Sequence, residues 1–580
     1  MGASLSAEAQ QPARQFPMGQ LDDEATRFLA SAVHLDDVLA DVLIDEFLGE
    51  PKRAIPPSPG VRAEVVLGEA LVAQSRRRTI NTILLVLITM LTVIAFPLVV
   101  AWLVSGLVWR FFSVVVTRVA LATSDSRFAN ALATNRQRWW ATAFLWSLLS
   151  IVWISIPAFV LIPVAMASSD KSTVSSIGAA LFIMGLGVLT IAMYGALVAK
   201  QYLPRRTVDI WYSFGNYPAN VPPRKSLVKA CRRYSDRLQR IAHNGTRRNQ
   251  RNSGEVVVYR GGNPFVGAGI RARSWSAAIE LRPRSTDSEG PIPRFEPHDL
   301  YQFVSEDLAT LRKAPHLTPG QRFADLRITN FAVLSANSLP YIPEAGHLLA
   351  QLTAGMDPEL TEENWRDLAN QPPEWLRYYQ CFRLEGWSRQ LAVSGFLHVG
   401  CDERILVLEW FGFVLPPIAP EHRLVDLPPT WLELRAMWKA LADFALLPTT
   451  VPTRLMDVVR GMRDTARVSG GNWATPTQAA QVFGSAASMR ELGAGTRLNT
   501  LLQISDSDRY LKILERRVVH AIHRFLESVG LSAAEFDEIV KQINVYTVFN
   551  NSEINAGNIG GQGNTGTMSV NTSDTVNSTE

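Results

Sequence analysis

The sequence predicts an α-helical membrane hairpin region joined to a cytosolic α+β domain, with a disordered Asn/Gly/Ser/Thr-rich C-terminal tail. Three observations carry this. Residues 79–109, 139–168 and 172–199 contain no Asp, Glu, Lys or Arg, and each run exceeds the ~18 apolar residues that mark a bilayer-spanning helix. Between residues 252 and 450, short β-branched and aromatic runs are interleaved with helical periodicities, the order expected of an α+β unit. The last 32 residues are built mainly from four small polar residue types, with 21 of them Asn, Gly, Ser or Thr.

Whole-chain averages hide this partition. The 580 residues carry 57 basic and 53 acidic side chains, a net charge of +4, and the mean hydropathy is +0.05. Such a balance is too small to mark a nucleic-acid binder from the total charge. Three cysteines, Cys231, Cys381 and Cys401, are too few and too dispersed for a disulfide scaffold or a thiolate metal cluster. Only nine of the basic residues are Lys, a bias that reads as GC-rich bacterial coding. The parse is an acidic N-terminal helical region (1–78), a transmembrane region (79–199), a basic juxtamembrane helix (200–251), the α+β domain (252–450), a helical region (451–548) and the tail (549–580). Residues 1–78 lack the basic start and apolar core of a secretory signal.

Residues 21–50 carry nine acids against Arg27, and Phe28, Ala32, Leu35, Leu39 and Val42 recur at 4-3-4-3 spacing, which predicts one amphipathic helix with an acidic face. Pro56, Pro57 and Pro59 break the chain before a second helix over residues 61–75. Arg76, Arg77 and Arg78 abut the first uncharged run and place the N-terminus in the cytoplasm by the positive-inside rule. Arg110, Arg118, Arg127, Arg136 and Arg138 against Asp125 give the next loop the same preference, and Lys200, Arg205 and Arg206 follow the third run. Three simple crossings cannot meet these charges. Either the first run bends at Pro97 as a re-entrant or interfacial element, or it is one long tilted helix whose weaker loop signal is overruled. The second and third runs then form the hairpin, with its turn outside and both termini cytoplasmic. No ionisable residue interrupts the runs, which argues against a proton-coupled transporter.

Residues 200–251 reverse the sign, with thirteen cations against Asp209 and Asp236. Leu227, Cys231, Tyr234, Leu238 and Ile241 form an apolar seam, and Arg232, Arg233, Arg237 and Arg240 decorate the same helix. Three partners are open for it: anionic lipid headgroups of the bilayer, the acidic N-terminal helix, or nucleic acid. Nucleic acid is not expected, because aromatic residues for base stacking are nearly absent.

Strands are predicted at residues 256–259, 277–281, 331–334, 377–384, 390–399 and 404–414, with helices at 297–313, 361–370 and 430–446, and the sheet is expected to be antiparallel. Helices follow over 506–529 and 532–544. The tail reads as disordered; its alternating Ile554, Ile559, Met568 and Val570 also resemble the amyloid-like signalling tails of bacterial defence proteins, which implies homotypic association. Gln562, flanked by glycines where that motif has aliphatic residues, departs from the pattern.

The search for chemistry finds one glycine-rich loop, Gly261, Gly262, Pro264, Phe265, Gly267 and Gly269, after a strand where a phosphate loop would sit. It lacks the Gly-Lys-Ser/Thr ending and the dinucleotide fingerprint, so a structural loop is the simpler reading. His398 with Cys401, and His520 with His523, lack a second ligand pair at metal spacing. Asp402-Glu403 reads as a hairpin turn. Catalytic residues are unknown, and neither cofactor nor metal is expected.

Residues 32–36 (AVHLD), 53–61 (RAIPPSPGV), 257–269 (VVYRGGNPFVGAG), 274–276 (SWS) and 413–417 (FVLPP) resemble a family of uncharacterised bacterial multi-pass membrane proteins over most of residues 20–445. The resemblance implies one continuous architecture of acidic helix, membrane part and α+β domain in the cell membrane, and transfers no catalytic residue. The expectation is a membrane-tethered cytoplasmic interaction or signalling scaffold, a possible homo-oligomer through its tail. The alternatives are a membrane-anchored enzyme acting on a nucleotide or lipid through the Gly261 to Gly269 loop, and a small channel.

Overall fold

The computed structural model describes residues 23–122, 173–214, 216–217, 225–248, 254–284, 292–314, 317–426, 432–467, 475–498 and 500–540. The second uncharged run (139–168), its turn and the tail (549–580) lie outside the described residues.

The acidic N-terminal helix is two helices, α1 (Glu24–Leu35) and α2 (Asp37–Phe47). The break is local chemistry: Asp36 is extended and its carboxylate accepts from the amides of Val38 and Leu39, capping α2. This resets the helical phase. Of the predicted seam beyond the cap, Leu39 is buried but Val42 is exposed, and Leu43, Ile44 and Phe47 face the core instead. A 32-residue helix, α3 (Ala63–Ile94), carries both the predicted second helix and the start of the first uncharged run.

That run is not one helix. α3 ends at Ala95 (φ −140°, ψ 54°) and α4 (Phe96–Ala122) begins at once, with Pro97 in its first turn where the missing N–H is harmless. The turn at Ala95 is sharp. A straight helix would separate Asn81 from Gly106 by roughly 37 Å. Asn81 Oδ1 instead accepts from Arg454 Nη1 at 2.7 Å, and a Cβ on Gly106 would lie 2.8 Å from Thr449 Cγ2. Thr449 and Arg454 are only about 8 Å apart along their segment, so α4 turns back toward the helix it follows.

The third uncharged run forms the first part of α5 (Thr173–Tyr212), which continues through Pro204 and packs along α3. Two helices distant in sequence complete this layer: α11 (Leu432–Ala445) lies on α5, and α12 (Val451–Arg467) lies on α3. Following α5 in the chain, α6 (Lys225–Cys231) and α7 (Ser235–Arg248), joined by a short 3-10 turn, form the basic segment and lean on α3. Its apolar seam is real: Ile241 is buried, and Cys231, Tyr234 and Leu238 pack beside it.

The α+β part is built on one six-stranded sheet in the order β1 (Glu255–Tyr259), β3 (Arg327–Ser335), β4 (Leu376–Gly386), β5 (Leu391–Cys401), β6 (Ile405–Leu415), β2 (Ile270–Glu280). All six predicted strands are present. The sheet is mixed, because β1 runs parallel to β3 while the other neighbours are antiparallel. α8 (Pro297–Ala309), α9 (Gly346–Thr353), α10 (Glu362–Asn370), α13 (Pro476–Phe483) and α15 (Leu501–Val529) pack into its core, which Leu511, Leu514, Val518, Ile522 and Phe525 of α15 join, while Met489 of α14 (Met489–Leu492) packs with α1 and α2. The Asp402 carboxylate accepts from the amides of Arg404 and Ile405 and closes the β5–β6 turn, as the Asp-Glu pair suggested.

Candidate functional site at the base of the apolar helices

A cavity of about 550 Å3 opens where the charged and uncharged halves of the apolar helices meet. α3 contributes Arg76, Arg77 and Ile80; α5 contributes Lys200, Gln201, Pro204, Arg205, Val208 and Asp209; α1 closes the floor with His34 and Leu35; α11 supplies Arg435 and Lys439. Six cations therefore face two carboxylates, Asp37 and Asp209. The placement follows from sequence at two corners. Arg76 and Arg77 precede the uncharged run that starts at Thr79, and Lys200 follows the one that ends at Ala199.

The floor is ordered by hydrogen bonds. His34 Nε2 lies 2.9 Å from Glu69 Oε2, both side chains almost fully buried, and Arg76 reaches His34 Nδ1 at 3.3 Å and donates to Thr207 Oγ1 at 3.2 Å. Arg77 is held by Asp41 (2.5 Å), Asp457 (3.2 Å) and Asp37 (3.4 Å). Gln201 donates to Asp443 at 2.6 Å, which fixes α11 on α5. The rim differs. Among the described residues no carboxylate lies within ion-pair distance of Lys200, Arg205, Arg435 or Lys439. Arg205, Arg435 and Lys439 are solvent-exposed.

The residues singled out from sequence lie elsewhere. Arg232 and Arg233 are exposed on the 3-10 turn. Arg237 is buried and donates to the Arg53 carbonyl, and Arg240 donates to the Gly355 carbonyl at 2.7 Å. Half of the predicted basic face thus anchors the helix to its own protein. In the glycine loop, Gly261 and Gly262 are open, while Phe265 fills the second face of the sheet. Its ring lies 4.7 Å from Phe396, 5.0 Å from Tyr379 and Phe413, and 5.3 Å from Phe411. Gly267 (φ 96°) and Gly269 (φ 92°) take left-handed backbone conformations that let the loop lie against the Pro57 and Val414 carbonyls, where a Cβ would collide. The loop's centre is packing, next to Pro264 at its edge.

Neither histidine pair forms a ligand set: His398 Nδ1 faces the Tyr378 carbonyl at 2.8 Å, and His523 Nε2 lies 3.5 Å from Asp537. What sequence reasoning missed is α11. Arg435 and Lys439 are one helical turn apart on a helix read as part of the α+β domain, and nothing in their local sequence tells that this helix crosses to α5.

With the sheet, its covering helices and the α11–α12 pair in view, the chain's class is set by a family match: residues 274–569 match the AbeC-like domain, and the chain belongs to that family. The match begins within β2 and includes FVLPP and the two cavity residues of α11; the apolar helices and the Gly261 to Gly269 loop precede it. No curated protein and no solved structure matches the chain.

Proposed function

We propose that this is a membrane-tethered cytoplasmic interaction or signalling scaffold, a multi-pass protein of the bacterial inner membrane with both termini in the cytoplasm. The observation that carries the reading is an apolar surface. Ile83, Val86, Met90, Val93 and Ile94 of α3, Phe96, Val100, Val104, Leu107, Val108 and Phe111 of α4, and Phe182, Met184, Val188 and Ile191 of α5 are all exposed. Contiguous apolar surface of this kind is stable against lipid and unstable against water.

The turn at Ala95 supports the re-entrant alternative for the first run. Residues 79–94 of α3 reach only about 24 Å, short of the ~30 Å hydrocarbon core, and a return along α4 leaves Arg110 on the side of Arg78. The pairing of the second and third runs as an outward hairpin, and association through residues 549–580, belong to the same proposal. The exposed Arg232 and Arg233 face outward, as contact with anionic headgroups requires. Reporter fusions at Ser124, Ser169 and Ser305 test the topology: cytoplasmic signals at the first and last with an outside signal at Ser169 are expected, and an external Ser124 overturns the re-entrant arrangement. Release of the protein from membranes by alkaline carbonate would reject the tether itself. Deleting residues 549–580 is expected to reduce self-association in detergent; an unchanged size distribution removes the tail's role.

A further inference from the structure

We infer that the cavity at the base of the apolar helices binds the phosphate group of an anionic lipid headgroup. Its location carries the first step. The cavity is lined at once by Arg76 and Arg77, two of the three cations that precede one uncharged run, and by Lys200, the first cation after another, so in a bilayer it lies at headgroup depth. Its volume, about 550 Å3, falls within the roughly 300–1,000 Å3 of small-molecule sites.

Charge carries the second. Lys200, Arg205, Arg435 and Lys439 converge on one opening, and none is ion-paired to a carboxylate among the described residues; Asp37 and Asp443 act on Lys200 at longer range, and the six lining cations still outnumber the lining carboxylates Asp37 and Asp209. Arg205, Arg435 and Lys439 are solvent-exposed, so they reach an incoming anion without rearrangement, and a phosphate accepts from several such donors at once. The third step is α11 itself. While Arg435 and Lys439 turn toward the cavity, Leu434, Met437 and Trp438 of the same helix are exposed. A helix with cations on one side and a Trp among apolar residues on the other suits the membrane interface, where acyl chains and headgroups are contacted together. Basic pockets between helices at this depth hold headgroup phosphates.

The lipid source rests on the membrane reading; the phosphate site does not. The test therefore uses the full chain in neutral detergent, titrated with dioctanoyl phosphatidylglycerol, dioctanoyl phosphatidylcholine or inorganic phosphate and read by thermal midpoint and Trp fluorescence. Phosphatidylglycerol is expected to raise the midpoint saturably, and R435Q/K439Q to weaken it by about tenfold or more. The unliganded midpoint should stay unchanged, because both side chains are exposed. The control R294Q/R366Q, which removes two exposed cations from the sheet domain, should bind as the unmodified chain does. Equal shifts with inorganic phosphate would overturn the lipid as source while retaining the phosphate site. Shifts equal with phosphatidylcholine, or the same loss in the control, would overturn the site. Flotation with neutral vesicles is read separately, so a failed tether is distinguished from a failed site.

Discussion

Asn81 donates to Asp457 across 2.7 Å and accepts from Arg454 at 2.7 Å, joining positions up to 376 residues apart at the foot of the apolar helices. Asn81 and Arg454 are both buried, and Asp457 also meets Arg77. One amide thus ties α12, within the matched family domain, to α3, which precedes it.

Replacing Asn81 with Leu leaves Arg454 and Asp457 without these partners in a buried site. The expected loss is about 3 kcal/mol, seen as a lower thermal midpoint in detergent and earlier proteolysis of the α11–α12 pair. A midpoint unchanged within error would show that the two regions dock independently of this contact.

Phe265 tests what the glycine loop is for. Truncation to Ala empties the centre of an aromatic cluster and should destabilise by about 3–5 kcal/mol, with Phe265→Leu closer to the native value. A stable F265A protein that had lost ligand-induced thermal shifts would instead restore the loop as a binding element.

The β4–β5 turn holds three successive non-glycine residues in left-handed conformation: Trp387 (φ 54°), Ser388 (φ 55°) and Arg389 (φ 63°). Trp387 bonds Asp506 and Arg389 bonds Glu385, so both are held by side-chain contacts. Ser388→Gly relieves the steric conflict where no such contact is lost, and should stabilise by about 1 kcal/mol. Calorimetry showing a loss would contradict strain at this position.

His422 carries a pH dependence. Burial pushes its pKa down, against the opposing pull of Asp36 and Glu421, so the folded chain favours the neutral imidazole. A depressed folded pKa means the unfolded chain binds the proton first. Stability is complete above the ordinary value near 6.5 and is lost as pH falls through that value toward the folded one. Thermal midpoints between pH 7.5 and 5.5 should fall less steeply for H422Q; parallel curves would reject the assignment.

The three thiols should be slow to alkylate. Burial pushes Cys231 and Cys401 up to about 11 and Cys381 up to about 12, which keeps them protonated at neutral pH. Iodoacetamide is expected to label Cys381 only on denaturation. Rapid labelling in the folded protein at pH 7.5 would contradict this environment.

Reading along the chain worked where one element's chemistry is local. Val256 to Val258, Phe331 to Leu334 and the other β-branched and aromatic runs became strands because each needs only a sheet to lie in. It failed at Asp36, whose carboxylate caps a new helix: a periodicity count spans such a cap without seeing that the phase has been reset. It also took Arg232, Arg233, Arg237 and Arg240 as one basic face, since Arg237 and Arg232 look alike until Arg53 presents a carbonyl to one of them.

By itself the sequence determined where charge stops and apolar chain begins, at Arg78 and at Lys200, because exclusion of charge from an apolar environment is written residue by residue. Only the tertiary structure decided that these two boundaries face each other, that the chain turns back at Ala95, and that Arg435 and Lys439 come from more than 200 residues away to close the cavity. Electrostatic energy depends on distance in space, and that distance exists only once α3, α5 and α11 have packed.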